Sequence, residues 1–260
     1  MAMFCMSFGM SASDGGHGGP RLSPDGEESG AGSAPRQEEH PLVFAANHMF
    51  VDLAEGRFLV DTGSPLSFAR SGRVTFAGEA RSIPKSMLGL DLDAICSGLG
   101  LECDGLLGTD LLGACDTCWD GPGRRFVVHA GEPRSDAVRV PYQDMLGTPV
   151  VEARIGGRTA ACVFDTGAQY GYVLDRTLAA GGAADGTIDD FNPVIGRICS
   201  EAWRIPVELR GIRFDERFGL LDTLSAGLLG ALGAEAIIGC SWLPSKRVWF
   251  MPRRGQIAIA

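Results

Sequence analysis

Two aspartates, Asp61 and Asp165, each open the tripeptide Asp-Thr-Gly, and each follows an apolar run: Phe58-Leu59-Val60 before the first, Cys162-Val163-Phe164 before the second. At average amino-acid usage a given tripeptide turns up on the order of 0.03 times in a chain this long, so two copies point to a repeated unit rather than to chance. Two carboxyl groups held face to face resist ionising together, so they keep one proton between them and titrate as a pair. One member can then take a proton from water while the other gives a proton to a substrate oxygen or a leaving group. Chemistry of this kind calls for no metal and no cofactor.

The surroundings of the two aspartates are repeated as well. Gly105-Leu106-Leu107-Gly108-Thr109-Asp110-Leu111-Leu112 follows the first, and Ala236-Ile237-Ile238-Gly239-Cys240-Ser241-Trp242-Leu243 follows the second. Both read apolar, apolar, Gly, two small or polar residues, then two bulky apolar ones. Upstream, Val51-Asp52-Leu53-Ala54-Glu55-Gly56-Arg57 and Val151-Glu152-Ala153-Arg154-Ile155-Gly156-Gly157-Arg158 each read as a strand, a glycine turn and a returning strand, the signature of a hairpin. The unit occurs twice, with its aspartates 104 residues apart.

This unit resembles the lobe of the aspartic peptidases, present twice in pepsin-like enzymes and once per subunit in the dimeric retroviral-type enzymes. The resemblance covers residues 41–260. It implies an all-β, bilobal acid-protease fold, two related six-stranded-type β-barrel lobes with a cleft between them, and hydrolysis of peptide bonds by a water activated between Asp61 and Asp165. It also implies support for the dyad from Thr62, Gly63, Ser64, Thr166, Gly167 and Ala168. Thr62 and Thr166 would reach across the lobe junction to the opposite main chain, and the two apolar-apolar-Gly strands would pass behind the catalytic loops. One chain supplies both aspartates, so a monomer acting on a peptide or protein substrate is expected, with a catalytically weak or inactive peptide-binding module on the same fold as the alternative.

The two copies are not identical. Ser64 follows the first Asp-Thr-Gly and its hydroxyl is placed to donate to Asp61, whereas Ala168 follows the second and offers no such donor. Asp61 is therefore expected to be the more acidic partner, with activity extending above the strongly acidic range. Only 45 residues separate Asp61 from Leu106, against 72 between Asp165 and Ile237, and the shorter interval holds no tyrosine. A reduced flap is expected on the first lobe, with residues 82–91 covering the cleft from that side and residues 197–209, with Trp203, from the other.

Composition sets the outer limits. A hydrophobic content of 45% in 260 residues is enough for sizeable cores. The formal charge of -9 comes without a basic stripe, which excludes a nucleic-acid partner. The most apolar stretch, residues 218–243, is interrupted by Asp222 and Glu235, so no membrane span is expected. Residues 1–40, rich in Gly, Ser, Pro and acidic residues, read as a disordered tail without a secretory leader, and a cytoplasmic protein is expected. Within that tail Arg21 and Arg36 face six acids, unlike a basic activation segment. The first lobe is expected over residues 41–131, a linker over 132–137 and the second lobe over 138–260. Cys96, Cys103, Cys115 and Cys118 are spaced C-x6-C-x11-C-x2-C, an irregular pattern that favours unpaired thiols over a zinc site or a local disulfide. The four histidines show no H-E-x-x-H or other paired spacing, so no metal is assigned.

Overall fold

Period-two alternation of apolar residues dictates hairpins, and each half of the chain begins with one folded onto a third strand. The computed structural model describes residues 36–87, 89–192, 196–231 and 233–260. Most of the expected tail lies outside the described residues. Its last three residues do not behave as tail: Glu38, Glu39 and His40 open strand β1 (Glu38–Ala45) and pair with Val128, Val127 and Phe126.

In the first lobe β1 continues into β2 (His48–Leu53) and β3 (Gly56–Val60), an antiparallel meander with buried inward residues. Four short strands, β4 (Phe68–Ala69), β5 (Arg73–Phe76), β6 (Glu79–Ser82) and β7 (Ser86–Met87), lead through β8 (Leu90–Asp91) into helix α1 (Leu92–Leu99). Asp91 caps α1 by accepting the Ala94 N–H, and Gly100 ends it in the left-handed conformation. The lobe closes with β9 (Gly105–Leu107), the single turn α2 (Thr109–Leu112), β10 (Thr117–Asp120) and β11 (Arg125–Val128). Residues 132–137 carry no strand.

The second lobe repeats the meander in β12 (Val138–Met145), β13 (Thr148–Ile155) and β14 (Arg158–Phe164), followed by β15 (Gly171–Val173). It then departs from the first. Three long antiparallel strands, β16 (Ala183–Asn192), β17 (Gly196–Leu209) and β18 (Ile212–Leu220), stand where the first lobe has only short pieces. Helix α3 (Thr223–Ala231), β19 (Ala236–Ile238), β20 (Arg247–Met251) and β21 (Gln256–Ile259) complete an all-β, bilobal fold. No described helix is long and apolar enough to cross a membrane.

The lobes are joined by one antiparallel sheet in the order β1-β11-β10-β20-β21-β12. Alternation sends Trp119, Phe126, Val248, Phe250 and Ile257 to one face, where they merge with residues of both lobes into a single core. Cys118, Val127, Trp249, Met251 and Ala258 form a smaller cluster on the other face. Trp119 is central to the shared core: its ring stacks on Phe164 at 6.3 Å and on Phe250 at 5.6 Å. Phe164 is the residue just before Asp165, so the interlobe core bears directly on the second aspartate's loop.

Trp119→Ala is expected to lower stability by about 3 to 5 kcal/mol, read from urea unfolding. A loss below about 1 kcal/mol would show that the lobes do not depend on a common core.

Candidate active site

The two aspartates stand at the ends of β3 and β14, and the same local geometry puts them there. β3 runs parallel to β9 with Val60 opposite Leu107, and β14 runs parallel to β19 with Phe164 opposite Ile238. The ladders end as Asp61 N–H donates to Leu107 O at 2.9 Å and Asp165 N–H donates to Ile238 O at 3.0 Å. Each chain then turns, and its loop is tied back by Thr109 N–H to Ser64 O at 2.8 Å and by Cys240 N–H to Ala168 O at 3.0 Å. The apolar-apolar-Gly motifs hold these loops from behind.

Across the junction the two threonines bond reciprocally to each other and to the opposite strand. Thr62 Oγ1 donates to Phe164 O at 2.6 Å and accepts from Thr166 N–H at 3.0 Å. Thr166 Oγ1 donates to Val60 O at 2.7 Å and accepts from Thr62 N–H at 3.1 Å. All four groups are buried, where an unmade bond is costly, so each lobe completes the other's loop.

Gly63 and Gly167 are required by proximity rather than by backbone angle, since neither has a positive φ. A Cβ on Gly63 would lie 2.5 Å from Asp165 Cγ, and one on Gly167 would lie 2.5 Å from each Asp61 carboxyl oxygen. The loops approach so closely that no side chain fits, and each glycine faces the opposite lobe's carboxyl group.

Both aspartates are buried, Asp61 at 0% and Asp165 at 1% exposure. Burial raises both carboxyl groups above their ordinary range, and the neighbouring Asp165 charge adds to the effect on Asp61. The donors are unequal. Asp165 Oδ1 accepts from Gly167 N–H at 2.9 Å and Ala168 N–H at 3.2 Å, whereas Asp61 Oδ1 accepts only Gly63 N–H, at 2.9 Å. Ser64 does not make up the difference, because its hydroxyl donates to Leu66 O at 2.8 Å. The donor on which the expectation of a more acidic Asp61 rested is therefore not made, and the additional backbone N–H makes Asp165 the better-stabilised carboxylate. Oδ2 of each has no hydrogen-bond partner in the protein. The pair is suited to bind a water and move its protons in opposite directions.

Three buried groups near the dyad were not legible in the sequence. His48, 1% exposed, comes from the first lobe, and its Nδ1 has no hydrogen-bond partner in the protein. Burial brings His48 down to about 3. Glu216 lies under the second apolar-apolar-Gly loop, accepting from Ser241 Oγ at 3.3 Å with Oε2 unpartnered, and burial pushes it up to about 8. Tyr172 donates to Asp190 Oδ2 at 2.5 Å, tying the end of β16 to β15.

The cover expected from residues 82–91 is reduced to a short hairpin: β7 and β8, two residues each, pair Ser86 with Asp91 and Met87 with Leu90 before the chain enters α1. The long β16–β17 hairpin of the second lobe spans to the first instead, and Phe191 packs its ring where a Cβ of Gly98 on α1 would be. A cavity of about 120 Å³ between them is lined by Leu99, Gln169, Asp189, Asp190 and Arg197. Trp203 sits farther along β17, opposite Phe218. Cys115 and Cys118 belong to different core clusters, so the C-x-x-C does not converge. Among the described residues no group of three or more His, Cys, Asp or Glu is placed to hold a metal ion.

The fold is similar to that of an aspartic proteinase from Irpex lacteus, with 13% sequence identity, a TM-score of 0.50, and a match covering 86% of this chain and 97% of that one. No family model matches the sequence, and no curated protein matches it.

Thr62→Val removes a buried donor and acceptor and is expected to cost about 2 to 4 kcal/mol, while Thr62→Ser retains most of the stability; equal unfolding midpoints for Val and wild type would contradict the cross-lobe bonding. The shifts of Glu216 and His48 have opposite signs. Glu216 holds a proton in the folded state that the unfolded chain releases, so stability falls as pH rises from about 4.5 to about 8. His48 stays neutral while the unfolded chain takes up a proton, so stability falls as pH drops from about 6.5 to about 3. Glu216→Gln is expected to flatten the alkaline slope and to raise stability at pH 8 by on the order of 4 kcal/mol, with little change near pH 4.5. An unchanged slope in urea titrations across that window would refute the assignment.

Proposed function

We propose that this chain is an aspartic endopeptidase in which one water, held between Asp61 and Asp165, attacks the scissile carbonyl of a peptide. The observation that carries the reading is the pair of buried carboxyl groups from two lobes, each packed against the other's loop glycine and each with Oδ2 unpartnered. Asp165 as carboxylate accepts a proton from the attacking water. Asp61 donates its proton to the carbonyl oxygen as the tetrahedral intermediate forms, and the proton taken by Asp165 then passes to the leaving amine. Gly63, Gly167 and Ala168 N–H groups hold the carboxyl oxygens, and Thr62 and Thr166 fix the loops, so little reorganisation is left for the reaction itself.

The β16–β17 hairpin takes the role of the flap, and with the dyad buried it must lift for a peptide to enter. One chain carries both halves of the site, which fits a monomer acting on peptide or protein substrates in the cytoplasm. The burial of the dyad also favours a second reading, a peptide-binding module on the same fold that holds peptides without cutting them.

Cleavage of a mixed peptide library by wild type, Asp61→Asn and Asp165→Asn, from about pH 3 to about pH 8, distinguishes the two. Wild-type activity is expected to extend into the mildly acidic to neutral range, because both carboxyl groups are raised, and each variant is expected to lose at least about 100-fold. Activity equal in variant and wild type would remove the dyad from the mechanism. Peptide binding without cleavage by wild type would establish the binding module.

A further inference from the structure

We propose that Cys96 and Cys103 form a reversible disulfide that fixes the C-terminal turn of α1, the seat on which the β16–β17 hairpin rests. Among the described residues they are the pair whose sulfurs touch: Sγ to Sγ is 3.7 Å, and both side chains are buried. The chain between them is already folded into a closed loop, with Gly100 and Leu101 N–H groups donating to Cys96 O and Cys103 N–H directed at Cys96 Sγ at 3.4 Å. Reaching the bonded S–S separation of about 2 Å needs a side-chain adjustment and no rearrangement of the strand order.

Arg70 completes the site from β4's end. Its Nη2 stands 3.6 Å from Cys96 Sγ, its Nε donates to Cys103 O at 3.3 Å, and it is ion-paired to Asp93 on α1. Cys96, the sulfur beside the guanidinium, opens the exchange. As thiolate it attacks a sulfur of a small-molecule disulfide, forms the mixed disulfide and expels one equivalent of thiol. Cys103 then attacks Cys96 Sγ, the S–S bond forms and the second thiol leaves. Two protons pass to the released thiolates, and the oxidant takes up the two electrons lost by the cysteines.

The consequence reaches the cleft through two residues of helix. Gly98 lies between Cys96 and the helix cap, and Phe191 of β16 packs onto it. A covalent tie across this turn removes its local opening and so steadies the surface the hairpin closes upon.

The full-length protein is incubated to equilibrium with oxidised glutathione, digested and examined by mass spectrometry, then compared with a dithiothreitol-treated sample. Expected are a Cys96–Cys103 cross-linked peptide about 2 Da lighter than the two thiols, its loss on reduction, and a melting temperature about 5 °C higher when oxidised. Amide hydrogen exchange in α1 and β16 is expected to slow in the oxidised sample. Cys199, which is exposed, reports that the oxidant has acted, and Cys115→Ser with Cys118→Ser is expected to leave the cross-link intact. Recovery of Cys96 and Cys103 unlinked while Cys199 is modified would overturn the disulfide. A cross-link with unchanged exchange in α1 and β16 would overturn its link to the hairpin. None of these readouts depends on hydrolysis, so they stand apart from the peptidase reading.

Discussion

Everything at the centre of this molecule depends on the reciprocal hydrogen bonds of Thr62 and Thr166. Each hydroxyl crosses from its own lobe to the strand that carries the opposite aspartate, donating to Phe164 O or Val60 O. Because these groups are buried, separating the lobes would strand donors and acceptors on both sides at once. The six-stranded interlobe sheet and the Trp119 stack add apolar area around the same junction, and together they bring two like-charged groups to a distance neither would adopt alone.

That enforced approach sets the electrostatics. Two buried carboxyl groups this close resist ionising together, and the unequal supply of backbone N–H groups favours the carboxylate on Asp165. The same low-polarity surroundings raise Glu216 and lower His48, so the stability of the fold and the protonation of the dyad respond to pH over overlapping ranges.

Much of this architecture is written in local patterns. The doubled Asp-Thr-Gly, the hairpins before each copy and the apolar-apolar-Gly strands after each were legible because short-range alternation and turn chemistry encode them. The acidity order of the two aspartates was not, because it turned on the rotamer of Ser64, which donates to Leu66 O rather than to Asp61. The cover was legible only in part. The short interval in the first lobe signalled a reduced hairpin, which is the two-residue β7–β8 pair, but the reach of β16 to Gly98 is a contact between residues far apart in sequence and leaves no local signal. His48 and Glu216 escaped for the same reason, since a lone histidine or glutamate in a strand carries no mark of burial.

In the proposed mechanism the two lobes divide the tasks of one site: the first supplies α1 as a seat and Asp61 as the proton holder, the second supplies the long hairpin and the carboxylate. The measurement that bears most directly on this division is a carbon-13 NMR titration of the Asp61 and Asp165 carboxyl groups in the full-length protein. Linked titrations are expected, with Asp61 retaining its proton well above the ordinary carboxylate range and Asp165 ionising first. Two independent titrations near the ordinary aspartate value of about 3.9 would contradict the shared-proton dyad.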